Sequence, residues 1–162
     1  MSKTLIVMRH AKSSWEQTLE DFDRPLNERG HTGAIALGHW LREHNIAPDE
    51  TMVSSARRAQ ETGAGLKLTQ PLTQIRALYM ASEDVLLNQV QRAKGDTVLL
   101  IAHNPGIGEF AEMLANAAPN NPRFFNYPSG ATTVFDCDID EWSDLKFGNN
   151  TPAHFTTPKE LL

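Results

Sequence analysis

The sequence has one cysteine, Cys137, in 162 residues. It therefore holds no internal disulfide framework and suits a reducing compartment. No apolar run approaches the roughly 20 residues that cross a bilayer. The run at 4–8 is too short for a signal peptide and is followed at once by charge. Positive charge is not in excess: 15 Lys and Arg against 20 Asp and Glu leave a formal charge of -5, which argues against a broad nucleic-acid-binding surface. The sequence contains no G-x-x-x-x-G-K-S/T, no G-x-G-x-x-G and no G-x-S-x-G. That argues against nucleoside-triphosphate, dinucleotide and α/β-hydrolase chemistry. No His, Cys, Asp and Glu residues have metal-ligand spacing, so no metal and no other cofactor is expected. Cys137 has no Arg-containing anion loop beside it, which disfavours a cysteine phosphatase. Internal repeats and low-complexity tracts are missing as well. The expectation is a single cytoplasmic domain over 1–162, with no membrane and no nucleic acid among its partners.

What the chain does have is two histidines in matched settings. Residues 4–8 read Thr-Leu-Ile-Val-Met and lead into Arg9-His10-Ala11-Lys12, while residues 97–102 read Thr-Val-Leu-Leu-Ile-Ala and lead into His103-Asn104-Pro105-Gly106. Both runs read as buried parallel strands, and ligands bind at the carboxyl ends of such strands. Two imidazoles and an arginine delivered there suit a phosphoryl group and a histidine nucleophile. Lys12, Ser13 and Ser14 add donors in the same loop, and no carboxylate lies between 9 and 15.

The segment Ser54-Ser55-Ala56-Arg57-Arg58-Ala59-Gln60-Glu61-Thr62 follows a third strand-like run and opens a helix, whose first N–H groups are free to meet an anion. Arg58 and Thr62 share a face, and one of Arg57 and Arg58 is expected to face the pocket. Arg24 stands between two readings, an ion pair with Asp21 or Asp23 and a substrate contact. His31, His39, His44 and His154 have no comparable context.

The spacing predicts a strand over 3–8, a helix from the N-cap Asn27 to about 44, a strand at 51–53 and a helix over about 56–67 capped by Ser54 or Ser55. A small edge strand is expected at 74–76, a helix over about 82–94, a strand at 97–102 and a helix to about 117. A loop over 118–130 should precede a strand at 131–137 and a hairpin partner at 144–149. The aromatic residues Phe124, Phe125 and Tyr127 of that loop either line the substrate entrance or pack over the sheet edge. This order fits an α/β three-layer α/β/α sandwich with a mostly parallel central sheet.

Arg9-His10-Ala11 after a strand resembles the Arg-His-Gly signature of the histidine phosphatase (phosphoglycerate mutase-like) superfamily. Ser54-x-x-x-Arg58-Ala59-x-x-Thr62 resembles its second signature and selects Arg58, and His103 resembles the third. Asp21-x-x-Arg24-Pro25-Leu26, Asn27-x-x-Gly30 and the small size resemble the SixA type, the short protein-histidine phosphatases. The resemblance covers roughly 3–136 and implies a phosphoglycerate mutase-like fold without a large helical insertion. It implies His10 as phosphoacceptor in a metal-independent phosphatase, with Arg9, Arg58 and His103 completing the phosphate pocket and Arg24 joining them. Lys12 and Ser13 are expected to help bind substrate, and His103 to act as a charged donor. The substrate would be a phosphorylated protein such as a histidine phosphotransfer domain. The alternatives are a small phosphoester or, less in keeping with an intact His10, a non-catalytic phosphoprotein-binding module. Ala11 stands where glycine is common, so its backbone must avoid positive φ, and Ser55 stands where proline is usual. Glu83, Asp84, Glu16 and Glu20 are the candidates for a general acid.

Overall fold

The run Leu5-Ile6-Val7-Met8 is apolar on both faces, which only a strand covered on both sides tolerates. In the computed structural model, which describes residues 2–162, it forms β1 (Lys3–Arg9) at the centre of a six-stranded sheet. The chain continues through α1 (Glu28–Glu43), β2 (Glu50–Ser54), α2 (Arg57–Gly65), β3 (Gln74–Ile75), α3 (Glu83–Val90), β4 (Thr97–Ala102) and α4 (Gly106–Leu114). It ends with β5 (Thr132–Cys137), β6 (Asn150–Thr156) and α5 (Pro158–Leu161). The strand order is β3-β2-β4-β1-β5-β6. β1, β2, β3 and β4 run parallel, and β5 is antiparallel to both β1 and β6.

Alternation along the strands divides the core. Leu5, Val7, Val98 and Leu100 pack with Leu86 and Val90 of α3 and with Ile107, Phe110 and Leu114 of α4. Ile6, Met8, Leu99 and Ile101 pack on the other face with Leu37 and Leu41 of α1 and Ala59 of α2. The expected α/β/α sandwich is present, and no large insertion interrupts it.

Local signals worked best where a side chain meets its own backbone. The Asn27 side chain accepts from the Gly30 N–H at 2.8 Å and caps α1. A Cβ on Gly30 would strike the Lys12 carbonyl, so glycine lets α1 lie against the loop after β1, where Asn27 N–H donates to Lys12 O at 3.0 Å.

Several boundaries differ from expectation. Neither Ser54 nor Ser55 caps α2, whose N-cap is Ala56 without a side-chain cap. α4 stops at Leu114 because Ala115 turns extended and bridges to Asn150. α3 stops at Val90, short of 94, and the Glu50 carboxylate accepts from the N–H groups of Lys94 and Gly95 just beyond. The hairpin partner is not 144–149. Trp142–Asp144 forms a 3₁₀ turn with Trp142 buried, Gly148 takes a positive φ, and β6 begins at Asn150. Within 118–130, Phe124 and Tyr127 pack into the core rather than at an entrance, and Phe125 is exposed.

Candidate active site

The sheet register builds the site. β1 and β4 pair in parallel with Arg9 opposite Ala102, so the next residue on each strand is a histidine and the two emerge side by side. Their ring centroids lie 5.1 Å apart, and His10 N–H donates to the Ala102 carbonyl at 3.1 Å. β2 pairs Val53 with Ile101, which carries Ser54 against His103, with Oγ and Nε2 2.7 Å apart. The helix after β2 then delivers Arg58, whose Nε lies 3.3 Å from His10 Nε2.

Each of these side chains is fixed by neighbours. His10 Nδ1 is 2.7 Å from the Ala11 carbonyl. A carbonyl only accepts, so Nδ1 carries the proton and Nε2 keeps a lone pair. Ala11 N–H donates to Thr62 Oγ1 at 2.9 Å, and Thr62 Oγ1 donates to the Arg58 carbonyl at 2.8 Å. Thr62 thus ties the His10 loop to the helix of Arg58, which gives the Arg58-x-x-x-Thr62 spacing a physical reason. Ala11 avoids positive φ, as its side chain requires. Arg9 Nη1 donates to the Tyr127 carbonyl at 3.2 Å, and Tyr127 in turn donates from its hydroxyl to Val7 O at 2.7 Å.

Arg24 forms the ion pair of its first reading, with Asp21, and also lines the cleft. Its Nε and Nη2 donate to Asp21 Oδ1 at 3.2 and 3.1 Å, and its Nη1 donates to Ser13 Oγ at 2.7 Å. The exposed Trp15 ring stacks on its guanidinium at 3.5 Å. Arg57 turns to solvent and pairs with Glu61 at 3.1 Å, so Arg58 is the arginine that faces the site.

Arg9, His10, Lys12, Ser13, Arg24, Arg58 and His103 all line one cavity of about 340 Å³. His31, His39, His44 and His154 do not. Neither do Glu16, Glu20, Glu83 and Asp84, so none of the four candidate acids reaches the site. Among the described residues the carboxylate that lines the cavity is Asp21, which the sequence reading passed over as a partner for Arg24. Asp21 Oδ2 accepts from Arg58 Nη2 at 3.0 Å and from the Tyr79 hydroxyl, and its carbonyl accepts from Arg58 Nη1 at 2.6 Å. Its place in Asp21-x-x-Arg24 was the available signal. Ser54 reads as a cap from its place before a helix, yet it follows a strand that ends beside the strand of His103.

Burial, with the charge of His103 next, holds the His10 imidazole well below its ordinary range. Burial, with Arg58 next, holds His103 at about 3. The protein's own groups thus hold both rings neutral near pH 7, and the charged His103 expected above would need the field of a bound dianion. Burial favours a protonated Asp21, but hydrogen bonds from Tyr79, Arg58 and Arg24 outweigh it and hold the carboxyl at about 2. Two buried nitrogens of the lining residues, Arg9 Nε and His103 Nδ1, have no hydrogen-bond partner in the protein. A tetrahedral anion between them would satisfy both. Burial lifts the thiol of Cys137, which ends β5, to about 12, the opposite of a nucleophilic cysteine.

Residues 5–79 match the histidine phosphatase superfamily (branch 1). An uncharacterized protein of Mycobacterium tuberculosis is 36% identical over 160 residues, covering 94% of this chain and all of that one. The chain belongs to the histidine phosphatase superfamily. Within it, a putative phosphohistidine phosphatase SixA from Nakamurella multipartitia superposes with a TM-score of 0.87 at 27% identity, over 98% of this chain and 97% of that one. The protein histidine phosphatase SixA solved with tungstate superposes at 0.78 and 20% identity, over 98% and 99%. This histidine phosphatase therefore has the short SixA-like form of the fold.

Proposed function

We propose that this histidine phosphatase works through a covalent phosphohistidine on His10, and that its substrate is phosphohistidine in a protein. The observation that carries the first part is the 2.7 Å contact of His10 Nδ1 with the Ala11 carbonyl. It fixes the tautomer in which Nε2 is the nucleophile. His10 Nε2 attacks phosphorus, the Nε2–P bond forms, and the bond from phosphorus to the leaving group breaks. Arg9 and Arg58 stabilise charge on the equatorial oxygens with forked donors, and His103 donates a further hydrogen bond. Water then attacks phosphorus, His10 leaves as neutral imidazole with its Nδ1 proton retained, and the protons of water depart with inorganic phosphate. The guanidinium groups act as the charge clamp, so EDTA is expected to leave turnover unchanged.

The second part rests on Asp21. Held at about 2, it is ionised near neutral pH and has no proton to give an alkoxide. A phosphorylated imidazole protonated on its other nitrogen leaves as neutral imidazole and needs none. Phosphohistidine is therefore the leaving-group chemistry the site serves best, and Trp15 and Met80, both exposed on the cleft, give a protein something to rest against. A cytoplasmic phosphotransfer protein fits this reading.

The test is transfer of labelled phosphate from a histidine-phosphorylated protein. Acid-labile, alkali-stable label on His10, lost in His10→Ala together with turnover, is the expected result. Full turnover by His10→Ala would end the covalent proposal. A higher kcat/KM on phosphoserine than on phosphohistidine would end the substrate assignment.

A further inference from the structure

A larger cavity, of about 530 Å³, adjoins the phosphate cleft and shares Arg9, Lys12 and Ser129 with it. Its volume lies within the range of small-ligand sites. Its remaining cations are Arg29 and Lys159, and no Asp or Glu side chain lines it. The side chains of Lys12, Arg29 and Lys159 make no ion pair or hydrogen bond within the described residues. In a chain of charge -5, four cations gathered around one hollow that no Asp or Glu side chain lines are a segregated charge.

The fold holds this hollow in shape. Arg29 and Gly33 are one helical turn apart on α1 and both line it. A Cβ on Gly33 would lie 3.1 Å from Pro158 Cβ, so α1 and α5 touch at the glycine. Arg29 and Lys159, from the two touching helices, thus stand around one hollow with Arg9 and Lys12 of the phosphate cleft. Lys12 belongs to both cavities, so an anion in one and a phosphoryl group in the other lie within reach of one molecule.

We propose that this cavity is a second anion subsite of the same active centre, receiving a carboxylate or phosphate that the substrate carries beside its transferred phosphoryl group. The inference rests on the phosphatase reading above and names what that site recognises next to phosphorus. An acidic side chain near the phosphohistidine of a protein would supply such a group, and so would the acid group of a small phosphoester. Both are the same chemistry to Arg29 and Lys159.

The test compares wild type with Arg29→Glu/Lys159→Glu and with the milder Arg29→Ala/Lys159→Ala. Phosphohistidine peptides with glutamate or glutamine near the phosphorylated residue form one arm. Phenyl phosphate and carboxyphenyl phosphate form the other, and phosphoramidate, which has no second anion, is the control. Acidic members should be favoured by about 3-fold in kcat/KM for each cation engaged, or about 10-fold for the pair. The preference should fade in high salt and vanish in both double variants, with phosphoramidate turnover unchanged. Preference in the peptide arm assigns the anion to a protein substrate, and preference in the aryl arm to a small acid. Equal rates in both arms, or a preference that survives both double variants, overturns the proposal. Thermal-shift affinities for methylphosphonate and phosphonoacetate need no turnover. They read the subsite even if the His10 chemistry is refuted: phosphonoacetate should bind about 10-fold tighter in wild type, and equal affinities would again overturn the subsite.

Discussion

Acid should unfold this protein from its active centre outward. His103 is 1% exposed and His10 is 6% exposed, and both are held neutral by burial, with His103 and the arginines adding to the effect on His10 and Arg58 and the other arginines adding to it on His103. An unfolded histidine titrates near 6.5. The folded values are depressed, so below about pH 6.5 the unfolded chain binds protons the native site refuses, and stability falls with pH. For His103 the window runs from about 6.5 down to its folded value of about 3. At pH 5 His103, kept neutral in the fold, loses about 2 kcal/mol relative to pH 7, and His10, shifted the same way, adds to the loss. Against a total of about 5–15 kcal/mol the His103 share alone is large, equivalent to a melting temperature lower by about 5 °C. Urea unfolding followed by tryptophan fluorescence at pH 5 and pH 7 measures it. His10→Gln/His103→Gln is expected to lose most of the pH dependence even though its stability at pH 7 also changes. Saturating phosphate should flatten the wild-type curve, because an anion in the cleft favours the protonated rings. An undiminished pH dependence in the double variant would refute the assignment.

Three further outcomes follow from single contacts. Arg58→Ala should lower kcat by about 10²–10³, and Arg58→Lys should not restore it. The guanidinium serves His10 from Nε and Asp21 from both Nη atoms, which one ammonium cannot match; recovery with lysine would show that charge alone suffices. Ser54→Ala should cost about 10-fold in kcat and shift the ¹⁵N signature of His103, since the hydroxyl on Nε2 fixes which nitrogen faces phosphate; an unmoved signature would remove Ser54 from this role. Gly30→Ala drives a methyl at the Lys12 carbonyl and should cost about 1–3 kcal/mol, read as a lower urea midpoint with a raised KM; a neutral substitution would mean the 11–12 loop yields without consequence.

Much of the site was legible because its chemistry is concentrated where strands end. Two apolar runs closing on His10 and His103, and a helix opening with Arg58, needed only periodicity and residue type. What no local pattern carries is register. The pairing of Arg9 with Ala102 makes two histidines into one pair, and a shift of one residue would send them to opposite faces. Ser54 escaped for the same reason: next to a helix start it looks like a cap, and its bond to His103 depends on β2 lying beside β4. The late hairpin was misplaced because Trp142 buries itself and donates to Gly95 O at 2.6 Å, a contact across 47 residues with no sequence signature.

Asp21 does not stand out in the sequence as a proton donor. Glu16, Glu20, Glu83 and Asp84 do, but they lie outside the cleft, while the carboxylate inside has surroundings that strip its proton. Tyr79 and two arginines donate to it, and its value near 2 leaves it a counter-charge that holds Arg58 and Arg24 in place. Asp21→Asn separates the two roles. As an organiser, its loss should slow every substrate by a similar factor, about 10-fold, because the guanidinium groups lose their common anchor before the leaving group matters. The dependence of rate on leaving-group basicity would keep its slope, and the alkaline side of the pH profile would not move. As a general acid, its loss would fall hardest on poor leaving groups such as alkyl alcohols and spare phosphoramidate. A series of aryl and alkyl phosphates run on both proteins distinguishes these, and a steeper slope in Asp21→Asn would return the acid role to Asp21 and withdraw the leaving-group argument for phosphohistidine.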